Sequence, residues 1–169
     1  MRNVSAAIFA ALAAAAPAQA ARPDLWATVN VCDTAAFPDA MGVRASMPGN
    51  GTRQRMYVRF NASWFDRASE TWHPVRGTGR SRWIYLGRAR YRARQSGWTF
   101  RFSPPRPGAD FVVRGVVQFQ WRKRTRRRRG RGAREVVVDR ARAKTRHGVA
   151  GVPAGDPPGT SEGLCVIRA

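Results

Sequence analysis

Lysine is almost missing from this chain. Only Lys123 and Lys144 accompany the arginines in a basic total of 31, set against 10 acidic residues. A positive surface made this way differs in kind from a lysine surface. Guanidinium groups fork bidentately onto phosphate and carboxylate oxygens, which an ammonium does not do. Histidine is equally scarce, with His73 and His147 far apart and the two cysteines near neither. The ligand spacing of a metal site is therefore absent, and so is a His-Glu-x-x-His motif. A Cys–His nucleophile pair would need a free thiol, which a bond between the two cysteines would remove. Asp66 and Glu70 follow a strand-like segment and could form a paired-carboxylate site, but turn carboxylates facing surplus arginine account for them. The expectation is a protein that is not an enzyme, with no metal and no cofactor.

What is present begins with the first twenty residues. Met1-Arg2 give a short positive start, Val4 to Ala16 an uncharged alanine-rich run, and Ala18-Gln19-Ala20 a small-x-small ending. That order predicts a secretory signal peptide over 1–20, cleaved after Ala20. A single secreted domain over 21–169 would follow, secreted or extracytoplasmic at the cell envelope, with no later apolar run long enough to cross a bilayer. An oxidising compartment makes Cys32 and Cys165 one disulfide, clasping the first and last strands.

The apolar pattern after the leader has period two, the signature of half-buried strands. Phe111, Val113, Val117, Phe119 and Trp121 fall on one phase, with Arg114, Gln118 and Gln120 on the other. Met56, Val58, Phe60, Ala62 and Trp64 form a second such run, and Trp98, Phe100 and Phe102 a third. Shorter strands are expected at Trp26–Cys32, Val43–Met47, Trp83–Leu86, Glu135–Ala141 and Leu164–Ile167, separated by Gly- and Pro-rich turns. Trp26, Trp64, Trp98 and Trp121 read as core residues. The pattern predicts an all-β antiparallel sandwich of about seven to nine strands. The chain end, with Asp156, Gly159 and Cys165, resembles the final strand of immunoglobulin-like domains, although Gly163 stands where that pattern has Tyr. The resemblance implies an immunoglobulin-like sandwich architecture and carries over no functional residue.

The arginines alternate too. Arg88, Arg90, Arg92 and Arg94 form one row around Tyr91, which could stack on a ligand. Arg122, Arg124, Arg126 and Arg128 form another, and Arg140, Arg142, Lys144 and Arg146 a third. On strands these become one-sided cationic rows with side chains recurring every ~6.6–6.8 Å. The Gly130-Arg131-Gly132 turn predicts a hairpin bringing Arg128 near Glu135 and Arg124 near Asp139, and reaching past the core where the apolar pattern stops at Trp121. Arg122, Arg124, Arg126, Arg127, Arg128, Arg129 and Arg131, backed by Arg140 and Arg142, are the candidate anion-binding residues. The expected function is binding of polyanions such as an envelope polymer, an acidic polysaccharide, lipid headgroups or nucleic acid. The alternative is a structural or adhesive protein-binding domain of the cell envelope whose charge is incidental, since exposed arginine also guards a sheet edge.

Overall fold

The computed structural model describes residues 25–126, 132–152 and 154–169; residues 1–20, Arg127, Arg128, Arg129 and Arg131 lie outside them. The described chain is all-β, with nine strands: β1 (Trp26–Thr34), β2 (Phe37–Pro48), β3 (Arg55–Asp66), β4 (Thr71–Pro74), β5 (Ile84–Arg88), β6 (Ala93–Arg101), β7 (Asp110–Arg126), β8 (Ala133–Lys144) and β9 (Cys165–Arg168). No helix among the described residues is long and apolar enough to cross a membrane. All the pairings between these strands are antiparallel.

One sheet has the order β1-β2-β6. The other is built on β3 and β7, the two long central strands; β5 and β4 line the outer edge of β3 end to end, and β8 and β9 do the same along β7. The alternating apolar residues of the two sheets meet between them. Val29, Met41, Val43 and Met47 from the first sheet join Met56, Val58, Phe60, Val113, Val117, Phe119, Trp121 and Ile167 from the second in one buried cluster. Each such large side chain contributes about 1.5–3 kcal/mol by leaving water. The phase read from Phe111 to Trp121 is therefore the observed one, with Phe111 only partly buried at the rim. Gly115 lets the sheets close, because a Cβ there would lie 2.7 Å from Thr145 and 2.8 Å from Val43.

Cys32 and Cys165 are bonded, with Cα atoms 5.3 Å apart. The bond joins β1 of one sheet to β9 of the other, so it fastens the two layers together at the ends of the chain. Close by, Asp39 and Arg168 each donate a backbone N–H to the Asp33 carboxylate, and the Thr34 hydroxyl donates to Asp156.

Three expectations need correction. Of the four tryptophans expected in the core only Trp121 is fully enclosed: Trp64 and Trp98 are 37% and 36% exposed, and Trp26 is half-buried outside the core cluster. Trp64 falls on the inward phase but at an open rim between the sheets, where it lines a depression with Val75, Phe102 and Phe111 and lies 5.2 Å from the His73 ring of β4. The row Arg88 to Arg94 is not one strand. β5 ends at Arg88 and β6 begins at Ala93, with buried Ala89 between them. Ala89 donates its N–H to Gln54, and its carbonyl accepts from Asn50 and Gly51, tying that turn to the loop after β2. Gly49 permits the approach, since a Cβ there would collide with the Tyr91 carbonyl at 1.6 Å.

The third correction is the hairpin register. Arg124 pairs with Glu135, and Trp121 with Asp139, across a bulge that leaves Val138 extra. The register centred on Gly130–Gly132 would have set Arg142 opposite Trp121 and Lys144 opposite Phe119, on the core face. The observed one sets Ala141 opposite Phe119 and Ala143 opposite Val117. A slip by an odd number of residues turns every side chain over, so burial of the core chooses the register and the charges follow.

Candidate anion-binding face

The outward face of the larger sheet carries the side chains between the buried ones. On β3 these are Arg55, Tyr57, Arg59, Asn61 and Ser63; on β7, Arg114, Val116, Gln118, Gln120, Arg122 and Arg124. Cross-strand pairing sets Arg55 beside Arg122, Tyr57 beside Gln120, and Arg59 beside Gln118. Aromatic residues from β4, β5 and the segment before β5 lie in the same layer. The result is a set of guanidinium–ring stacks laid across the sheet.

Arg114 lies over Trp72 at 3.8 Å, Arg59 over Trp83 at 4.2 Å, Arg122 over Tyr57 at 4.1 Å and Arg55 over Tyr85 at 4.3 Å. Each stack contributes about 0.5–2 kcal/mol and, more to the point, fixes a guanidinium plane that would otherwise be mobile. The rings and guanidiniums also screen the sheet. Arg114, Gln118 and Gln120 are half-buried rather than exposed, and Val116 on the same phase is buried.

The charge balance of this layer is uneven. Glu135, on β8, is held by three partners: Arg55 Nε at 3.0 Å, Arg122 at 3.7 Å and the Tyr57 hydroxyl, which donates at 3.1 Å. Desolvation, and then the bond to Glu135, hold the Tyr57 phenol above its ordinary value. Arg59 faces cations instead. Burial, followed by repulsion from Arg80 and Arg122, lowers its proton affinity; burial and Arg142 do the same for Arg114. The Nε atoms of Arg59 and Arg114 are buried without a hydrogen-bond partner. These guanidiniums are crowded by like charge on the open side of a sheet.

Two depressions lie on or beside this layer. The first is a groove of about 500 Å³ where β7 and β8 run past the start of β3. It is lined by Thr52, Arg53, Gln54, Arg55, Tyr85, Arg88, Lys123 and Arg124, with no carboxylate among them. The second is a cleft of about 340 Å³ lined by Trp83, Gln118, Gln120, Arg140 and Arg142 together with Phe119 and Ala141.

Of the residues expected to bind anions, Arg122 is half-buried and stacked, Arg124 lines the groove, and Arg140 and Arg142 line the cleft. Arg126 ends β7, paired with Ala133. Arg127, Arg128, Arg129 and Arg131 fall outside the described residues. Pairing with β3 stops at Arg55–Arg122 while pairing with β8 continues to Arg126–Ala133, so β7 and β8 leave the sheet as a two-stranded ribbon. Tyr91, expected to be open to a ligand, has Arg94 at 4.0 Å over its ring and Arg90 donating to its hydroxyl at 3.2 Å. Sequence reasoning did not find Arg53, Arg55, Arg59, Arg88, Tyr57, Trp83 or Tyr85 as one surface. The alternation of Arg55, Tyr57 and Arg59 on a strand was the available signal; the partner strands that complete it were not.

The chain also contains Gly159-Thr160-Ser161-Glu162-Gly163, the spacing of a hydrolase nucleophile elbow. Here Ser161 lies on irregular chain before β9 with no helix after it. Its buried hydroxyl accepts from the Val149 N–H at 2.8 Å and pairs with Thr28 at 2.9 Å. His147 is engaged with Glu162 at 2.8 Å. Ser161 joins the 148–162 segment to β1. No protein-family model matches this chain, and no curated protein matches it in sequence.

Proposed function

We propose that this protein is an exported, non-catalytic binding domain of immunoglobulin-like sandwich type that engages polyanions at the cell envelope. The observation that carries this reading is the groove between β5 and the base of the β7–β8 ribbon. Arg53, Arg55, Arg88, Lys123 and Arg124 converge there on one concavity with no acid in its wall. Such a set attracts any chain of phosphates, sulfates or carboxylates and releases its counterions on contact. Arg122, Arg140 and Arg142 lie next to it, and further arginines up to Arg131 follow Arg124 in sequence. Envelope polymer, acidic polysaccharide and nucleic acid share this chemistry. The disulfide is compatible with an extracytoplasmic setting.

A salt titration tests the proposal. Affinity for heparin or for a DNA oligonucleotide should fall linearly on a logarithmic salt axis. Replacing Arg53, Arg88 and Arg124 together with Ser should flatten that slope by up to about three, near one per contact removed. A competing reading, contact with a protein partner, is favoured by Val136 and Val138, which stand 40% and 47% exposed on β8. Binding that ignores salt and is lost on Val138→Ser would support it instead.

A further inference from the structure

The cleft beside the groove has a different make-up, and its chemistry narrows the ligand. Trp83 stands on one side, Arg140 and Arg142 on the other, and Gln118 and Gln120 lie between them. Gln120 is oriented: its Oε1 accepts from Arg122 Nε at 2.9 Å, which leaves its Nε2 as a donor. Arg59 stacked on Trp83 at 4.2 Å, with Arg122 5.1 Å from the same ring, holds the indole in place. The cleft thus offers an aromatic wall, an amide donor fixed by its neighbour, two guanidiniums and a second amide. Donors outnumber acceptors, and the guanidiniums supply none of the latter.

A ligand matching this set has an apolar face, many acceptor oxygens and a carboxylate or sulfate at one edge. An acidic sugar ring has all three. A nucleobase presents donors as well as acceptors along its edge and would meet few acceptors here. Building on the polyanion reading above, we propose that the Trp83–Gln120–Arg140–Arg142 cleft is a subsite for one residue of an anionic polysaccharide. The ring lies against Trp83, and its acidic group is forked by Arg140 or Arg142. The polymer continues from this cleft toward Arg55 and Arg124. From Gln118 to Arg124 along β7 is about 20 Å, room for a short run of sugars. Small sites of this kind derive orientation from a few fixed polar groups and affinity from an aromatic wall.

The test compares three probes of matched charge on the folded full chain by calorimetry: an oligogalacturonate, inorganic polyphosphate and an oligo-dT strand. The expected result is that Trp83→Ala weakens oligogalacturonate by roughly ten-fold while changing polyphosphate less than about two-fold. Gln118→Ala, on the open face, should show the same selectivity more weakly and serves if Trp83→Ala melts early. Equal losses for all three probes, or losses for oligo-dT alone, would overturn the sugar subsite and leave the polyanion reading standing. Binding of none of the probes by the native protein would overturn both.

Discussion

Glu135 is the carboxylate bound to the Arg55 and Arg122 guanidiniums of the cationic face, so its removal gives a prediction with an unusual sign. In Glu135→Gln the amide oxygen can still accept from Tyr57, but Arg55 and Arg122 lose their counter-charge. A ligand oxygen bound to the far side of Arg55 would sit about 6 Å from the carboxylate. At that distance, with an effective dielectric between 40 and 80, the repulsion removed is roughly 0.7–1.4 kcal/mol, or three- to ten-fold in affinity. Stability should move the other way. The ion pairs are part-exposed, so their loss costs about 0.5–1 kcal/mol, or about 1–4 °C in melting temperature. Anisotropy titrations of a labelled heparin fragment from about 50 to 200 mM salt would read both the gain and a slope steeper by about one. A folded Glu135→Gln protein that binds no better, or more weakly, would refute the placement of the ligand against Arg55.

Other expectations are as direct. Replacing Arg124, Arg126, Arg127 and Arg128 with Ser should leave the melting temperature nearly unchanged and flatten the salt slope by up to about four; an unchanged slope would mean the ribbon does not touch the ligand. Arg59→Met removes a guanidinium crowded by Arg80 and Arg122 but also its stack on Trp83, so stability should change by less than about 1 kcal/mol while anion binding weakens; chemical denaturation measures the first and titration the second. Cys32→Ala with Cys165→Ala should cost up to about 5 kcal/mol, given the 133-residue separation the bond closes, as read from urea midpoints. Tyr57 keeps its proton in the folded state beyond its ordinary value of 10.0, so its contribution is intact below that pH and is lost as the pH rises past it. Alkaline melts of Tyr57→Phe should therefore decline less steeply than those of the native chain.

The strand map was legible because burial imposes period two, and nothing in the chain competes with it. Phe111 to Trp121 and Met56 to Ala62 name their own inward faces. The disulfide was legible from two lone cysteines read together with the signal-like start of the chain. β4 was not, since Trp72-His73-Pro74 is too short to show a period and is held by its partner β3. The hairpin register misled because Gly130-Arg131-Gly132 looks like its centre, whereas Ala141 and Ala143 decide it by fitting under Phe119 and Val117. Alternation could not say which positions lie at an edge or rim, which is why Trp98 on edge strand β6 and Trp64 near the end of β3 came out part-exposed. The cationic rows were visible one strand at a time. Their assembly with Tyr57, Trp83 and Tyr85 depends on which strands are neighbours, and that is a property of the sheet order rather than of any single segment.

The most direct measurement is a titration of the folded protein with a polyanion, followed by the NMR signals of the arginine Nε–H groups. The account predicts that Arg55, Arg59, Arg122, Arg124, Arg140 and Arg142 shift together and saturate at one ligand concentration, with Arg44, Arg94 and Arg101 of the smaller sheet nearly still. Equal small shifts at all arginines, or shifts centred on β2 and β6, would contradict a binding site on the outer face of the larger sheet.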